Sequence, residues 1–371
     1  MKFFCSSTDL QRVLGNIGGV IPSKSTLPIL ENFLFQLSKN KLSITATDLD
    51  ISMSVTLNVD AKEDGAIAIP AKRLFETVRA LPNVEINFQA NTDTNKIVMK
   101  TPSGEYKLTG ESSENFPNIP MFRGKEEVEV ESDSLRRLIT KTIFAVSSDE
   151  LRPAMTGILL QIRKSEIRVV ATDGHRLVRL TNSNFSTADF EREIIVPVKA
   201  LNLASKSANN QKCIISLNEN HIMFSFGDTV LVSRLIEEKY PSYESVIPLE
   251  NDKLLVVDKN QLLSSIRRIS LYASSTTHQI RLSLKRNSVS ISAEDIDVGS
   301  EAVESLTCDY GSDTMEIGFN SGYLIDILSH IDTDETIFKM SSATRASIIQ
   351  PFTQKDGENL LMLVMPVRLN A

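Results

Sequence analysis

The chain has 371 residues, 41% of them apolar, and a formal net charge of −7 at pH 7. No apolar run approaches the length of a membrane-spanning helix, and the start MKFFCSSTDL lacks the apolar core of an export signal, so we expect neither a membrane anchor nor secretion. Three cysteines without a CxxC motif favour a reduced cytoplasm, and the acidic balance, taken alone, argues against a nucleic-acid partner.

An eighteen-residue pattern occurs three times, at Phe33–Asp50, Ile158–His175 and Ile280–Asp297. Each copy is typical of a β-hairpin with a short polar turn, and each ends in an acidic step. The copies are spaced like ordinary domains and much further apart than solenoid repeats. The sequence therefore predicts a triplicated chain with domains at 1–124, 125–248 and 249–371.

Two helices are predicted in each domain, and Leu10, Leu135 and Leu262 recur at the start of the first one. The six predicted helices are 9–19, 70–81, 133–146, 197–208, 258–272 and 320–330. The alternation in 280–285 predicts antiparallel sheets with one buried face and one face in water. The fold class is therefore α+β, three repeated domains of antiparallel sheet plus two helices, able to form an arc with the helices inside.

The charges are divided between helices and the rest of the chain. The predicted helices contain twelve basic and five acidic residues, a net charge of +7, whereas the remainder carries −14. In 133–146 the apolar stripe leaves Arg136, Arg137 and Lys141 on the far side, and in 70–81 it leaves Lys72 and Arg79 exposed. A solvated charged face explains any one such helix, but the repetition favours an anionic partner.

Several motifs resemble those of a known family. TLPIL at 26–30, PAKRLF from Pro70, ATDGHR at 171–176 and MPVRL from Met365 are similar to segments of the bacterial DNA polymerase sliding clamp, the polymerase III beta subunit. The resemblance covers the whole chain. It implies that two crescents join head to tail in a six-domain ring around duplex DNA, which tethers the replicative polymerase without catalysis and without a cofactor.

By this resemblance, five basic residues contact DNA without reading its sequence: Lys24, Lys72, Arg79, Arg152 and Lys199. The helical Arg136, Arg137 and Lys141 join them on the charge pattern. Some relatives have paired aromatic residues where this chain has Pro153 and Ala154, and a neutral residue in place of Asp149. We therefore expect weaker or rearranged contacts there.

The resemblance also implies a pocket for peptide motifs of the DNA polymerase catalytic subunit, the clamp loader and other clamp-binding proteins. Its residues are Met155, Thr172, Gly174, His175, Arg176, Leu177, Pro241, Val246, Leu363, Val364, Met365, Pro366, Val367, Arg368 and Leu369. Methionine side chains and an apolar slot suit linear motifs. Relatives often have Arg at Ser245, an aromatic residue at Thr277 and Ser at Ala346, so the preferred motif can differ.

The homodimer is expected to join the first domain of one chain to the third domain of the other. By resemblance, Tyr106 and Leu108 on an edge strand meet Leu271 and Tyr272 of the partner. The alternative is ordinary packing within each domain.

Two other functions remain open on the residues alone. A hydrolase would use Asp173 and His175, although no nucleophile motif accompanies them, and a turn explains the same residues. A DNA-independent scaffold would need none of the basic residues. The four histidines show no metal-ligand spacing, so no metal site is predicted.

Overall fold

The structure is a computed structural model, and it describes residues 1–119, 122, 126–184, 190–208 and 212–369. The predicted domain boundary at residue 124 lies outside the described residues. The chain forms two compact units, Met1–Arg137 with Val196–Leu235, and Leu138–Ile195 with Ile236–Ala371. Within the described part of the chain, none of the helices has the length and apolar character that a membrane crossing requires.

A similar succession of elements occurs three times, with one strand fewer in the described residues of the second repeat. The first repeat contains β1 (Lys2–Ser6), α1 (Ser7–Ile17), β2 (Asn32–Ser38), β3 (Lys41–Thr47), β4 (Ile51–Asn58), β5 (Asp60–Glu63), β6 (Gly65–Pro70), α2 (Ala71–Ala80), β7 (Glu85–Asn91), β8 (Lys96–Thr101) and β9 (Gly104–Thr109). The second contains β10 (Glu126–Glu131), α3 (Ser132–Thr140), β11 (Gly157–Arg163), β12 (Glu166–Thr172), β13 (Arg176–Asn182), β14 (Arg192–Pro197), α4 (Val198–Ser207), β15 (Lys212–Leu217), β16 (His221–Phe226) and β17 (Thr229–Arg234). The third contains β18 (Lys253–Asp258), α5 (Lys259–Ile269), β19 (Gln279–Lys285), β20 (Ser288–Asp295), β21 (Ser300–Thr307), β22 (Asp309–Tyr310), β23 (Met315–Asn320), α6 (Ser321–Ser329), β24 (Glu335–Met340), β25 (Ser347–Pro351) and β26 (Glu358–Val364).

Four antiparallel sheets hold these strands, and two of the sheets combine strands from successive repeats. The first unit has a five-stranded sheet, β5-β1-β7-β8-β9, and an eight-stranded sheet, β10-β15-β16-β17-β4-β3-β2-β6. The second unit has a nine-stranded sheet, β14-β11-β12-β13-β26-β25-β24-β18-β22, and a four-stranded sheet, β21-β20-β19-β23. Backbone hydrogen bonding therefore continues from β4 into β17 and from β13 into β26.

The three predicted hairpins are present, as β2–β3, β11–β12 and β19–β20. In the first hairpin Lys39 and Asn40 have φ values of 47° and 65°. Two consecutive positive φ values indicate a type I′ turn, whose twist matches that of the flanking strands. Asn287 in the third turn has φ 58°, which asparagine tolerates better than most residues.

The predicted one-sided burial is confirmed in the third repeat and wrong in the second. In β19, Ile280, Leu282 and Leu284 are buried in strict alternation with more exposed neighbours. In β11, by contrast, Gly157–Ile162 are all buried. The second face of β11 carries an additional apolar cluster, described below, so neither face of that strand is in water.

The third predicted helix, 133–146, ends six residues early. The structure has α3 at Ser132–Thr140, followed by a short 3-10 turn at Ile143–Ala145. The Thr142 hydroxyl donates to the carbonyl of Leu138 at 2.7 Å and to that of Ile139 at 3.2 Å. A threonine hydroxyl that bonds the preceding turn competes with continued helical hydrogen bonding, which explains the early end.

Candidate functional site

The helices of the structure carry the predicted excess of positive charge. They contain eleven basic and four acidic residues, so their net charge is +7. Eight of the eleven basic side chains are exposed: Arg12, Lys72, Arg73, Arg79, Lys199, Lys206, Arg267 and Arg268. The remaining positions of the chain therefore carry −14, and the positive charge is concentrated on helix surfaces.

Helix α2 presents the least neutralised part of this charge. Ala71, Leu74 and Val78 are buried, and Lys72 and Arg79 point away from that stripe into solvent. Among the described residues, neither Lys72 nor Arg79 has an ion-pair partner, although the Arg79 guanidinium lies 5.8 Å from the centre of the Phe75 ring. Lys24, in the loop after α1, is also exposed. These cations remain available to an external anion.

Two other predicted DNA residues are engaged inside the protein. Arg136 donates to the carbonyls of Ser205 and Ala208 at the end of α4 and forms an ion pair with Asp133 at 3.1 Å. A cation at a helix C-terminus is favourable because the last carbonyls carry partial negative charge. Arg137 is half-buried. Arg136 is thus committed to the fold.

The prediction that Lys141 lies on an exposed helix face is wrong. Its side chain is 10% exposed, and it follows the end of α3. The ammonium group donates to the carbonyl of His330 at 2.6 Å and to the carboxylate of Asp332. A buried ammonium requires such partners, and they lie far away in the sequence, so the helical pattern could not indicate them.

Lys199 and Arg152 are exposed but paired. The Lys199 ammonium donates to the carbonyl of Val20 at 3.1 Å and to Asp48 Oδ2 at 2.6 Å. Arg152 Nε donates to Asp149 Oδ2 at 2.8 Å, and this contact helps to lower the pKa of Asp149, after the backbone hydrogen bond from Leu151. The Arg152–Asp149 pair is exposed on both sides and therefore weak, so Arg152 can exchange its partner for another anion, whereas Asp48 is only 18% exposed and holds Lys199 more firmly.

An apolar cluster lies on the second face of the nine-stranded sheet. Its buried members are Leu159, Val170, Leu177, Ile195, Tyr243, Ala346, Ile348, Leu361 and Leu363, and Ala154, Ile236, Tyr240 and Ile247 pack against it. The predicted pocket residues Leu177 and Leu363 thus belong to one cluster. Most of its other buried residues, which form the floor of this surface, were not predicted from the sequence. The motif YPSYESVIP, which supplies Tyr240 and Tyr243, was a signal for part of it.

Exposed predicted residues surround this cluster. Val246 is 53% exposed and Met365 is 40% exposed, although both are apolar. The Met365 amide donates to the carbonyl of His175 at 2.8 Å, which fixes the C-terminal segment beside the turn that contains His175. Pro241 is also exposed, whereas Met155, Thr172 and Val364 are buried. Exposed apolar groups over an apolar floor form a surface suited to an apolar ligand.

The rest of the C-terminal segment has a packing role. The Val367 amide donates to the carbonyl of Gly318 at 2.9 Å. A Cβ at position 318 would lie 2.8 Å from both the Val367 carbonyl oxygen and Leu369 Cδ2, so only glycine allows this close approach. Pro366 is half-buried and Arg368 is exposed. The segment is therefore held against β23 while Met365 stays at the surface.

Both tyrosines of the cluster have polar partners. The Tyr243 hydroxyl donates to Gln161 Oε1 at 2.8 Å, and the Tyr240 hydroxyl donates to the Val170 carbonyl at 3.4 Å. Burial raises the pKa of Tyr240 and of Tyr243 above the ordinary range. Both hydroxyls therefore remain protonated, and the floor of the cluster carries no charge at neutral pH.

Arg176 connects several elements beneath this surface. Its guanidinium donates to Asp173 Oδ2 at 3.1 Å, to Asp326 Oδ2 at 2.5 Å and to the carbonyl of Phe144 at 2.7 Å. It also lies 4.8 Å from the centre of the Tyr323 ring. Asp173, which a hydrolase would need as a partner of His175, is committed to this ion pair and to the turn.

The three pocket positions at which we expect departures from relatives lie in different environments. Ser245 is exposed, and its hydroxyl donates to the Ser242 carbonyl at 2.7 Å. Thr277 is exposed in the loop before β19, and Ala346 belongs to the cluster floor. Of the three, Ala346 alone is a buried member of the apolar cluster.

A cavity lined by both charged and apolar residues adjoins the edge strand β9. A cavity of about 1340 Å³ is lined by α2, by the loop after α1 and by β9, including Lys72, Phe75, Lys107 and Leu108. Tyr106 and Leu108 alternate with exposed charged residues along this edge. In the third repeat, Leu271 is 81% exposed and Tyr272 is 44% exposed, just after α5. None of the four residues is fully buried within the chain.

The described residues contain no group of three His, Cys, Asp or Glu side chains placed to hold a metal ion. The three cysteines are free thiols, and burial raises the pKa of Cys5 and of Cys213 to about 12. These two thiols are therefore unreactive at neutral pH.

Three family models match consecutive parts of the chain. The N-terminal domain of the DNA polymerase III beta subunit matches residues 1–120, its central domain matches 129–242, and its C-terminal domain matches 244–368. Together they cover all three repeats.

Relatives that match the whole chain are named beta sliding clamps. The beta sliding clamps of Pseudomonas aeruginosa and Chlamydia muridarum are 30% and 28% identical to this chain, over 100% of each chain. Among solved structures, the Pseudomonas aeruginosa sliding clamp bound to griselimycin superposes with a TM-score of 0.94 at 30% identity. The Bacillus subtilis sliding clamp superposes with a TM-score of 0.94 at 26% identity, and both comparisons cover 100% of each chain.

We predict that Arg176→Met destabilises the second unit by about 3–5 kcal/mol, because it leaves a mostly buried carboxylate, Asp173, without its cation. Urea unfolding measures this as a lower midpoint. The control is Arg163→Met, which removes only an exposed contact of 3.9 Å to Glu193 and should cost about 0–1 kcal/mol. Equal midpoints for the two variants would contradict the role assigned to Arg176.

Proposed function

This chain belongs to the DNA polymerase III beta subunit family, the bacterial sliding clamps, and from that membership we propose which of its surfaces meet DNA, partner peptides and a second chain. It is a sliding clamp, a non-catalytic processivity factor of DNA polymerase III. The hydrolase and the DNA-independent scaffold are thereby set aside. We propose domains at 1–124, 125–248 and 249–371, and a cytoplasmic location, which the free thiols support.

We propose that exposed helical cations face duplex DNA. The single observation that supports this most is the charge division, with +7 on the helices of a chain whose net charge is −7. Phosphate attraction without base contacts gives binding that is independent of sequence and sensitive to salt. The negative charge on the rest of the chain would repel DNA, so the duplex would be favoured beside the helices.

Lys24 and Arg79 are the strongest candidates for direct contact, because both are exposed and have no ion-pair partner among the described residues. Arg152 and Lys199 contribute only when they leave Asp149 and Asp48. Such exchangeable contacts suit a clamp, since a cation fixed on one phosphate would resist sliding. Arg137 is a weaker candidate, because it is half-buried.

We predict that Lys24→Glu with Arg79→Glu weakens duplex binding and lowers the slope of log affinity against log salt by about 2, one unit for each phosphate that the protein no longer neutralises. Fluorescence anisotropy of a labelled duplex over a salt series measures both quantities. Lys41→Glu reverses an exposed lysine on a β-strand and should leave the slope unchanged. A slope that does not differ from that of the unmodified protein would refute the assignment.

We propose that the apolar cluster under Val246 and Met365 is the docking pocket for partner peptides. Its support is the combination of a buried floor, two exposed apolar side chains and the exposed His175 at one edge. The DNA polymerase catalytic subunit, the clamp loader and other clamp-binding proteins are the proposed ligands. The polar backbone groups near His175 would orient an extended segment, and the floor would hold its apolar side chains.

We predict that Met365→Asp lowers the affinity for a peptide from the clamp-binding segment of a polymerase catalytic subunit about tenfold or more, because the apolar ligand must then be buried against a carboxylate. Fluorescence polarisation of the labelled peptide measures the change. Ile214→Asp, a matched change at a 42% exposed isoleucine of β15, should leave peptide affinity intact. Equal loss in both variants would argue against the pocket.

We propose that two chains close a ring through strands β9 and β21, and the repeats themselves support this pairing. Within the chain, β4 follows the first repeated hairpin and pairs with β17, the last strand of the second repeat. Likewise β13 follows the second hairpin and pairs with β26, the last strand of the third repeat. In both cases the strand after a repeated hairpin pairs with the last strand of the following repeat. The strand after the third hairpin, β21, and the last strand of the first repeat, β9, have no such partner within the chain, and both lie at sheet edges.

Side chains beside these edges are consistent with the same closure. Leu271 and Tyr272 are exposed after α5, and the cavity along β9 and α2 is bounded by Phe75 and Leu108. Insertion of Leu271 of one chain into the cavity of the other would bury both surfaces. Paired edges and a filled cavity would together cover an open sheet edge and an exposed leucine of an isolated chain.

We predict that Leu271→Asp shifts the protein from dimer to monomer, with a dissociation constant at least about tenfold higher, because the interface then buries an unpaired charge. Sedimentation equilibrium measures the constant. Leu249→Asp alters a leucine that is 96% exposed outside the proposed interface and should stay dimeric. A Leu271→Asp protein that dimerises normally would exclude this closure.

A further inference from the structure

The contact of Lys199 joins the first two repeats and has a specific geometry. Asp48 lies in the turn after β3, where its Oδ1 accepts the amides of Asp50 at 3.1 Å and Ile51 at 2.7 Å. Its other oxygen, Oδ2, accepts the Lys199 ammonium at 2.6 Å. The same ammonium donates to the carbonyl of Val20, just after α1, at 3.1 Å. One lysine at the start of α4 thus holds two segments of the preceding repeat.

Each participant has a counterpart at the same place in another repeat. Asp48 and Asp295 occupy the same position of the eighteen-residue pattern. Val20 follows the recurring leucine Leu10 by the same number of residues as Tyr272 follows Leu262. Lys199 and Lys72 each lie two residues after the proline that precedes the second helix. The third repeat therefore supplies both acceptors, and the first repeat supplies the donor.

These counterparts lack the corresponding partners within the chain. The Asp295 turn shares one of these hydrogen bonds, since its Oδ1 accepts the amide of Asp297 at 3.1 Å, as Asp48 Oδ1 accepts that of Asp50. Among the described residues, however, no cation pairs with Asp295, and no anion pairs with Lys72. Asp295 is half-buried and Lys72 is exposed at the cavity beside β9.

In the middle repeat, the aspartate at this position also has a cationic partner. This aspartate, Asp173, accepts the amides of His175 and Arg176 through Oδ1, both at 2.9 Å. In the third repeat, which follows this one, the position equivalent to Lys199 is Gly322, so no lysine is available for Asp173. Arg176 instead provides the cation to Asp173 Oδ2 at 3.1 Å. Two of the three turn aspartates are thus paired within the chain, and Asp295 is the exception in the described structure.

We propose that Lys72 of one chain closes the ring by donating to Asp295 and to the Tyr272 carbonyl of a second chain, as Lys199 does to Asp48 and Val20 within the chain. This inference rests on the proposed ring closure and changes the role expected for Lys72 from a DNA contact to an interface contact. The pair lies at the rim of an interface between separate chains. Salt therefore weakens it more than a buried pair and facilitates opening of the ring.

A charge swap tests the pair. Sedimentation equilibrium compares the unmodified protein, Lys72→Asp, Asp295→Lys and the double variant at low and high salt. Each single variant should raise the dimer dissociation constant about tenfold or more at low salt, because like charges then face each other. The double variant should return it to within a few-fold of the original value, and high salt should reduce the differences. Thermal melting verifies that each isolated chain is folded.

Arg79→Asp is the matched control, since it reverses a charge on the same helix, α2. It should weaken DNA binding and leave dimerisation unchanged. If the single variants at Lys72 and Asp295 dimerise like the unmodified protein, or if the double variant does not recover, the ion pair is refuted while the ring stands. If the unmodified protein is itself monomeric at micromolar concentration, the proposed ring fails, and the ion pair fails with it.

Discussion

Continuous backbone pairing from one repeat into the next is the interaction on which the rest of the structure depends. The strand after each repeated hairpin needs a partner, and β4 and β13 find theirs in the last strand of the following repeat. Because these ladders are intramolecular, their formation costs no association entropy. The equivalent strand of the third repeat, β21, remains at a sheet edge. Glu304 on this strand accepts a hydrogen bond from the Arg268 guanidinium of α5, and this contact lowers the pKa of the Glu304 carboxyl to about 2.

The same triplication explains how one helix pair serves different purposes. In every repeat the buried stripe of the helices packs on a sheet, so their other face is free to vary. At Lys199 that face holds a neighbouring repeat, at Arg136 it stabilises the end of α4, and at Arg79 it remains open. Positive charge on these helices therefore stabilises the packing of the chain at some positions and is proposed to bind DNA at others, and the count of charges alone does not separate the two.

The sequence predicted the fold class, the hairpins and the helices because those depend on local periodicity and turn chemistry. It failed where long-range partners decide the outcome. Lys141 matches an exposed helix position by spacing, yet its acceptors at His330 and Asp332 bury it. The floor of the proposed peptide pocket was likewise missed, because Leu159 and Ile348 look like ordinary strand residues. Their second apolar environment arises only when successive repeats share a sheet.

Ring closure differs from the internal junctions mainly in its entropy. The β4–β17 and β13–β26 ladders are helped by the covalent chain, whereas the proposed β9–β21 pair would form between separate molecules and would cost translational freedom. Equivalent contacts therefore give a weaker junction there. A clamp must open to admit DNA and then stay closed, so the intermolecular junction is the natural place to open. Exposed charge pairs at this junction would make its stability adjustable without altering the sheets.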